Sequence, residues 1–528
     1  MERLIRLGSW LSLLLVLLPL LGLAVAAIDP PPDPFGGPPP SPSDVLSGGL
    51  LGITIALGLA VTALSVALGG WLAWMEARTD YPGRAPLNVL GLLPMAVPSY
   101  VLAATVATTL GPGGWIGAPL GLPVFSGFWG ATLVLVVATA PYVQLVVGAA
   151  LGRLSASEEE AARTLGASPG RILRVVILPR VRPALVLSGL IAMLYAVSDF
   201  GAVAVLDVPV LTWRLYEAVR TQDLGRAAWM GIALLVIILP VFVATAFLRG
   251  DSAAGTVANP RAPRRTAPSP PALAFTYGVH VLVIGVGVLI PTLTLGGWIV
   301  EGMQRGETFA PLWKPLRDSV LAAGVGAGLT VLFAGFVAHR TGGRAERSGG
   351  VAQRSWEQAV YLTSALPGVL LAFGLILSAL AITRAVGGGR EMYGAVLGSG
   401  ALLFIGYVTR FLAEVYGPLK TAFEQLDPRQ RESARALGAS TWTWFVRVGA
   451  PAVAPGAAAA FSIGFLAILK ELPITLMLGG ATGLSTLAFR VWDRYSESLW
   501  HDAGLAGLVL IGLALAVLTL TLRWRRHV

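Results

Sequence analysis

The sequence predicts an all-α polytopic membrane protein, with about twelve transmembrane helices arranged as two parallel six-helix repeats. Three observations carry this. Of 528 residues, 55% are hydrophobic and only 12% are charged, about half the roughly 25% charge of a soluble domain. Apolar runs near the roughly 20 residues needed to cross hydrocarbon recur along the whole chain. A polar interspan segment also occurs twice at a fixed separation. The 64 Gly and 36 Pro fit this class, since both are commoner in membrane helices than in soluble ones.

Taken in order, the spans fall at 4–28, 46–75, 88–110, 128–151, 183–206, 227–248, 273–296, 316–338, 357–383, 393–418, 452–480 and 503–522. The first follows a basic Met1–Arg6 and reads as a retained helix. Ala24-Val25-Ala26 resembles a signal-peptidase site, and cleavage there would leave every later orientation unchanged. Ile28–Pro42 is Pro-rich and predicts an extended external loop. Lys and Arg crowd alternate interspan segments: 153–182 holds Arg153, Arg163, Arg171, Arg174, Arg180 and Arg182, while 29–45 and 111–127 hold none. By the positive-inside rule both termini are cytoplasmic. Residues 249–272 are polar, basic and Pro-rich, a linker between halves 1–248 and 273–528. Six spans per half return the chain to the same side, so the repeat is parallel.

Composition also excludes functions. A net charge of +10 in a soluble protein would point to nucleic acid. Here its position assigns it to the membrane surface, so lipid is the expected partner and nucleic acid is not. Trp115, Trp298 and Trp313 near span ends read as interfacial anchors. Zero Cys removes disulfides and thiolate chemistry. Lys314, Lys420 and Lys470 are the only lysines, and none completes the G-K-[ST] of a phosphate-binding loop. His280, His339, His501 and His527 are scattered without metal-ligand spacing. No catalytic cluster is visible, so a membrane-embedded enzyme is disfavoured.

The repeated segments lie in loops 153–182 and 419–450. Residues 160–183 read EAARTLGASPGRILRVVILPRVRP and residues 432–455 read ESARALGASTWTWFVRVGAPAVAP, identical at 11 of 24 positions. Gly166 in the first copy is answered by Gly438 in the second. Each loop predicts two short helices. In the first, Ser157 caps with Glu160 at capping-box spacing, and Glu158 and Glu159 complement the helix dipole. Gly166 suits a left-handed stop, Ser168-Pro169 restarts the helix, and Pro179 and Pro183 mark a turn into the next span. The second uses Asp427-Pro428, Gly438 and Ser440 in the same roles. Helices this short are marginal alone and need a surface to pack on.

Glu160-Ala161-Ala162, Gly166 and Val176-Ile177-Leu178-Pro179 resemble the EAA loop of bacterial ABC-importer permeases. The second copy departs in Ser433 for the first Ala and in Ala450-Pro451 for Leu-Pro. The resemblance implies that each loop docks a coupling helix into a cytoplasmic ATPase through Glu160, Ala161, Ala162, Gly166 and Pro179, and through Glu432, Ser433, Ala434, Gly438 and Pro451. It also implies a multi-pass protein of the bacterial inner membrane, two ATPase copies, and a periplasmic or extracellular substrate-binding protein. ATP would be bound on the partner subunit, with no cofactor on this chain. The fused layout, Thr79-Asp80-Tyr81-Pro82-Gly83-Arg84, Ser198-Asp199-Phe200-Gly201 and Glu471-Leu472-Pro473 look most like the ferric-iron permease branch. Thiamine permeases share the layout, so thiamine or another small solute is the alternative substrate.

Charges inside a membrane are expensive and face a cavity or a partner. Asp199 and Glu471 share one repeat position, each 16 residues after its Pro (Pro183, Pro455), or roughly 24 Å along a helix. Two readings stand open. The carboxylates are oxygen ligands on a translocation path for a hard trivalent cation, or they are structural. On the structural reading Asp199 caps a broken helix end, while Glu471 pairs with Lys470 or Arg410. Arg410 and Glu414 are four apart and pair on one helix face. A secondary transporter is the rival class, since twelve spans in parallel halves fit it too. The only long repeated loops, however, precede the fifth span of each half.

Overall fold

Backbone polar groups in hydrocarbon must be satisfied within their own segment, which leaves a run of apolar residues little choice but the helix. The computed structural model describes residues 2–29, 41, 43, 45, 49–251, 265–342 and 351–524. Most of the Pro-rich stretch Ile28–Pro42 and of the linker 249–272 therefore lies outside the described residues. The first half contains α1 (Glu2–Ile28), α2 (Leu50–Arg78), α3 (Arg84–Leu92), α4 (Ser99–Leu110), α5 (Gly127–Gly152), α6 (Ala156–Thr164), α7 (Pro169–Ser198), α8 (Gly201–Val205), α9 (Leu211–Arg220) and α10 (Leu224–Asp251). The second contains α11 (Pro270–Gln304), α12 (Trp313–Gly342), α13 (Val351–Ala365), α14 (Gly368–Ala385), α15 (Arg390–Gly398), α16 (Ala401–Glu424), α17 (Pro428–Ala436), α18 (Trp442–Leu469), α19 (Leu487–Ser496) and α20 (Trp500–Trp524). Among the described residues 11 helices are long and apolar enough to cross a membrane, or 12 when one bent pair counts as a span. The sole β pairing among them is an isolated bridge, Thr79 to Thr266.

The bent pair is the third expected span. It turns by 102° between Ala96 and Ser99, because Pro98 disfavours the helical region at the residue before it. Val97 is accordingly extended, at φ −86° and ψ 125°. Pro367 opens α14 in the corresponding place. The fifth and eleventh spans begin and end earlier than expected. They end at Ser198 and Leu469 rather than at 206 and 480, and the chain beyond each restarts as a separate turn of helix.

The described helices form two compact units, and these cut across the two sequence halves. One unit gathers Leu46–Trp213 with Ala233–Gly297; the other gathers Met1–Val45, Arg214–Ile232 and Trp298–Val528. Within the former, α2 packs against α5 so closely that a Cβ on Gly69 would collide with the Ala140 carbonyl oxygen. Small residues allow this approach in the absence of a hydrophobic drive between membrane helices, and a Ser65–Thr139 hydroxyl pair at 2.7 Å adds to it. The same unit takes in most of α11, the first span of the second half. Trp71 Nε1 donates to Thr276 Oγ1 at 3.1 Å, and Thr109 and Thr294 share a 2.6 Å hydrogen bond.

The other unit receives α1, the first span of the first half. A Cβ on Gly22 would collide with the Gly374 carbonyl oxygen, and one on Gly374 with the Pro19 carbonyl oxygen. Pro19 lies inside α1 and has no N–H, which leaves the Leu15 carbonyl without its helical donor. Thr409 Oγ1 donates to that carbonyl at 3.1 Å. Ser378 Oγ donates to the Leu18 carbonyl at 2.6 Å. Each half thus contributes its first span to the unit built mainly from the other half.

Candidate functional site

The two repeated loops have the same backbone. Helix α6 begins at Ala156 with Ser155 as its cap, the Ser155 Oγ accepting from the Ser157 amide at 3.4 Å. The expected Ser157–Glu160 capping box is therefore not formed, because Ser155 is already in the extended region (φ −83°, ψ 133°) and takes the cap two residues earlier. Glu158 and Glu159 occupy the first turn as expected. In α17 the cap is Asp427, whose carboxylate accepts from Arg429 N at 2.9 Å. Ser440 accepts from Thr443 N at 3.1 Å at the next helix start.

Both loop helices stop in one way. Gly166 and Gly438 each stand at φ +78°, a conformation glycine enters without a Cβ penalty. The Gly166 amide donates to Arg163 O at 2.9 Å and the Ala167 amide to Ala162 O at 3.0 Å. The Gly438 amide donates to Arg435 O and the Ala439 amide to Ala434 O, both at 2.9 Å. Each is a paired 5→2 and 6→1 closure that satisfies otherwise orphaned carbonyls.

The turn expected at Pro179 and Pro183 is absent; α7 runs unbroken from Pro169 to Ser198. A proline ring in a regular helix clashes with the carbonyl four residues back. The chain widens into a π turn at Leu173–Ile177, just ahead of Pro179, where i→i+5 bonding loosens the register. The second copy repeats this at Phe445–Gly449, ahead of Pro451. Both loops therefore pass into continuous membrane helices with no hinge at the prolines.

The inner face of α6 has a surface to pack on: Ala162, and Ala167 just beyond the helix, pack against a buried cluster that includes Leu151, Leu154, Ile172 and Ile177. The outer face carries Glu160, Ala161 and Gly166 exposed, with Pro179 exposed farther along. The second loop repeats the pattern with Glu432, Ser433, Gly438 and Pro451 exposed and Ala434 half-buried. Leu165 is 88% exposed and Leu437 is 87% exposed. One exposed leucine is ordinary. The same leucine is exposed at the same helix end in both repeats. Sequence reasoning misses these two residues, although their identity in both copies is a usable signal.

The membrane carboxylates sit at the two span breaks. Asp199 is buried, and its Oδ2 accepts from the Ala202 amide at 2.8 Å at the start of α8. Its carbonyl accepts from Thr212 Oγ1 at 2.8 Å. In its own unit, Glu471 is buried and accepts from the Ile474 amide at 3.0 and 3.1 Å and the Thr475 amide at 3.2 Å. Arg410 Nη1 donates to the Ser364 carbonyl at 3.3 Å and lies 3.7 Å from Glu414, the pair expected on one face of α16. No group of three or more His, Cys, Asp or Glu among the described residues could hold a metal ion.

The chain is similar to known transport proteins over most of its length. The family described as "binding-protein-dependent transport system inner membrane component" matches residues 65–250 and 322–527. The Fe(3+)-transport system permease protein FbpB 2 of Haemophilus influenzae is 26% identical over 470 residues, covering 88% of this chain and 87% of that protein. The ferric transport system permease protein FbpB of Actinobacillus pleuropneumoniae is 24% identical over 498 residues, covering 88% of this chain and 68% of that protein. The sulfate transport system permease protein CysT of Synechococcus elongatus is 32% identical over 201 residues, covering 36% of this chain and 71% of that protein.

Proposed function

Because the chain belongs to the binding-protein-dependent transport system inner membrane components, permeases of ATP-binding-cassette importers that work with an ATPase and a binding protein, we propose that the solute it carries is ferric iron. Two copies of the cytoplasmic ATPase grip the two loops and hydrolyse ATP. A binding protein delivers the ion on the opposite face of the inner membrane, and both termini are cytoplasmic. ATPase closure displaces α6 and α17. Because α7 and α18 continue from the loops without a hinge, the displacement passes into the membrane spans. The substrate reading is supported by relatives named for ferric iron that match 88% of the chain; the sulfate relative matches about a third of the chain.

The observation that carries the coupling reading is the pair of loops with one backbone, each presenting an exposed leucine. Burying such a side chain against a partner contributes up to about 2 kcal/mol. Glu160, Ala161, Ala162, Gly166 and Pro179, with Glu432, Ser433, Ala434, Gly438 and Pro451, are the docking residues. Gly166→Asp with Gly438→Asp places a residue with a Cβ at two left-handed positions, at a cost of roughly 1–2 kcal/mol each. Co-purification with the ATPase is expected to be lost, and an intact complex would refute the assignment. Asp199 and Glu471 brace the break points along the path, and Arg410 lies along it on α16. Asp199→Asn with Glu471→Gln is expected to slow uptake of radiolabelled ferric iron in a strain lacking its own system. Wild-type uptake would remove both carboxylates from the path, and uptake of sulfate or thiamine in place of iron would overturn the substrate.

A further inference from the structure

The loop helix α6 is tied to the rest of its unit by contacts that go beyond docking. At the end of α2, the Arg78 guanidinium Nη1 donates to Glu159 Oε1 at 2.5 Å, with the two side chains 7% and 9% exposed. The Trp74 ring lies 5.7 Å from that guanidinium. Nε and Nη2 of Arg78 are buried and find no hydrogen-bond partner among the described residues, so Glu159 carries the compensation of this buried charge. Removing one member of such a pair strands the other. Beside it, Glu158 pairs with Arg180 of α7.

The Arg78 backbone is itself held by the chain leaving the linker. The Thr266 amide donates to the Arg78 carbonyl, and the Asp80 amide donates to the Thr266 carbonyl, both at 3.1 Å. Farther along the same exit, Tyr277 Oη donates to the Pro82 carbonyl at 3.0 Å. The end of α2, the start of α6 and the linker exit therefore meet at one arginine.

The second loop lacks the matching acids in its sequence. Aligned on the glycine stops, Gln430 and Arg431 answer Glu158 and Glu159, and Ala452 answers Arg180. The two loops share a backbone but not these acids.

We propose that Arg78 and Glu159 are a positioning pair that clamps the first loop helix to the end of α2 and to the exit of the linker joining the halves, an attachment the second loop cannot copy. The inference rests on the docking reading above. The pair touches no substrate; it acts by making α6 move as one body with α2, so that a pull on the loop displaces α2 as well as α7.

The test uses the full chain in lipid nanodiscs, alone and with its ATPase. Amide hydrogen exchange is followed at 156–164 and 428–436. In the wild-type chain the first helix is expected to exchange at least ten-fold more slowly than the second. Glu159→Gln and Arg78→Gln should each remove most of that difference, and the exchanged pair Arg78→Glu with Glu159→Arg should restore it to within about three-fold. Equal protection of the two helices in the wild type, or protection unaltered in both single variants, would overturn the clamp. Failure of the wild-type chain to bind the ATPase would instead overturn the docking reading and leave the exchange result standing. Should one single variant fail to fold, the other and Arg78→Lys, which keeps the charge and should retain part of the protection, read the same quantity.

Discussion

The loop helices α6 and α17 each close with a glycine at φ +78° and lead into π turns at matching places in the repeat, yet the acids that tie down the first are absent from the second. The first is fixed by buried Arg78–Glu159 and by Glu158–Arg180. The second carries Gln430 and Arg431 in those places and begins on the Asp427 cap. The difference teaches that the repeat preserves backbone geometry more strictly than side-chain anchoring. Backbone geometry sets the shape a partner meets, whereas anchoring sets how the shape is held.

The largest expected effect concerns what the loops share. Leu165→Ala and Leu437→Ala each remove an apolar contact of about 2 kcal/mol if the partner buries it, or roughly 30-fold in ATPase affinity measured by titration. Equal losses at the two sites would support equivalent docking, and a loss at only one would break the likeness. Next come the helix stops. Gly166→Ala and Gly438→Ala have open space around the new Cβ, so the cost is conformational, roughly 1–2 kcal/mol each. Hydrogen exchange should rise at both helices, and more at 428–436, where the acids of the first loop's ion pairs are replaced.

The smallest effect concerns the caps. Asp427 accepts its amide at 2.9 Å and Ser155 at 3.4 Å, so Asp427→Ala should cost about 1 kcal/mol and Ser155→Ala less. Helicity of the two segments, followed by exchange, checks the order. If Ser155→Ala proves the more damaging, the first loop depends on its cap despite its ion pairs, and the contrast between the loops fails.

Much of this was legible in the chain. The spans follow from apolar length, and the stops at Gly166 and Gly438 follow from the residue type. The cap at Asp427 follows from its place before Pro428. Two features were not legible, and a third stood open between two readings of the membrane carboxylates. The cap at Ser155 in place of Ser157 was a choice between two serines with equal chemistry, decided by which one lies outside the helix. The unbroken α7 depended on a π turn that no residue type announces. The breaks after Ser198 and Leu469 replaced two straight spans, because Asp199 and Glu471 accept backbone amides of the following turns.

By itself the sequence determined the element types, the two-fold loop repeat and the left-handed stops, because these depend on local hydropathy, spacing and the freedom of single residues. Tertiary structure alone decided that α1 joins α14 and α16, that most of α11 joins α2, and that Glu159 meets Arg78. Those pairings depend on surfaces far apart in the chain: a glycine at 22 is only a small residue until the Gly374 carbonyl stands where its Cβ would be.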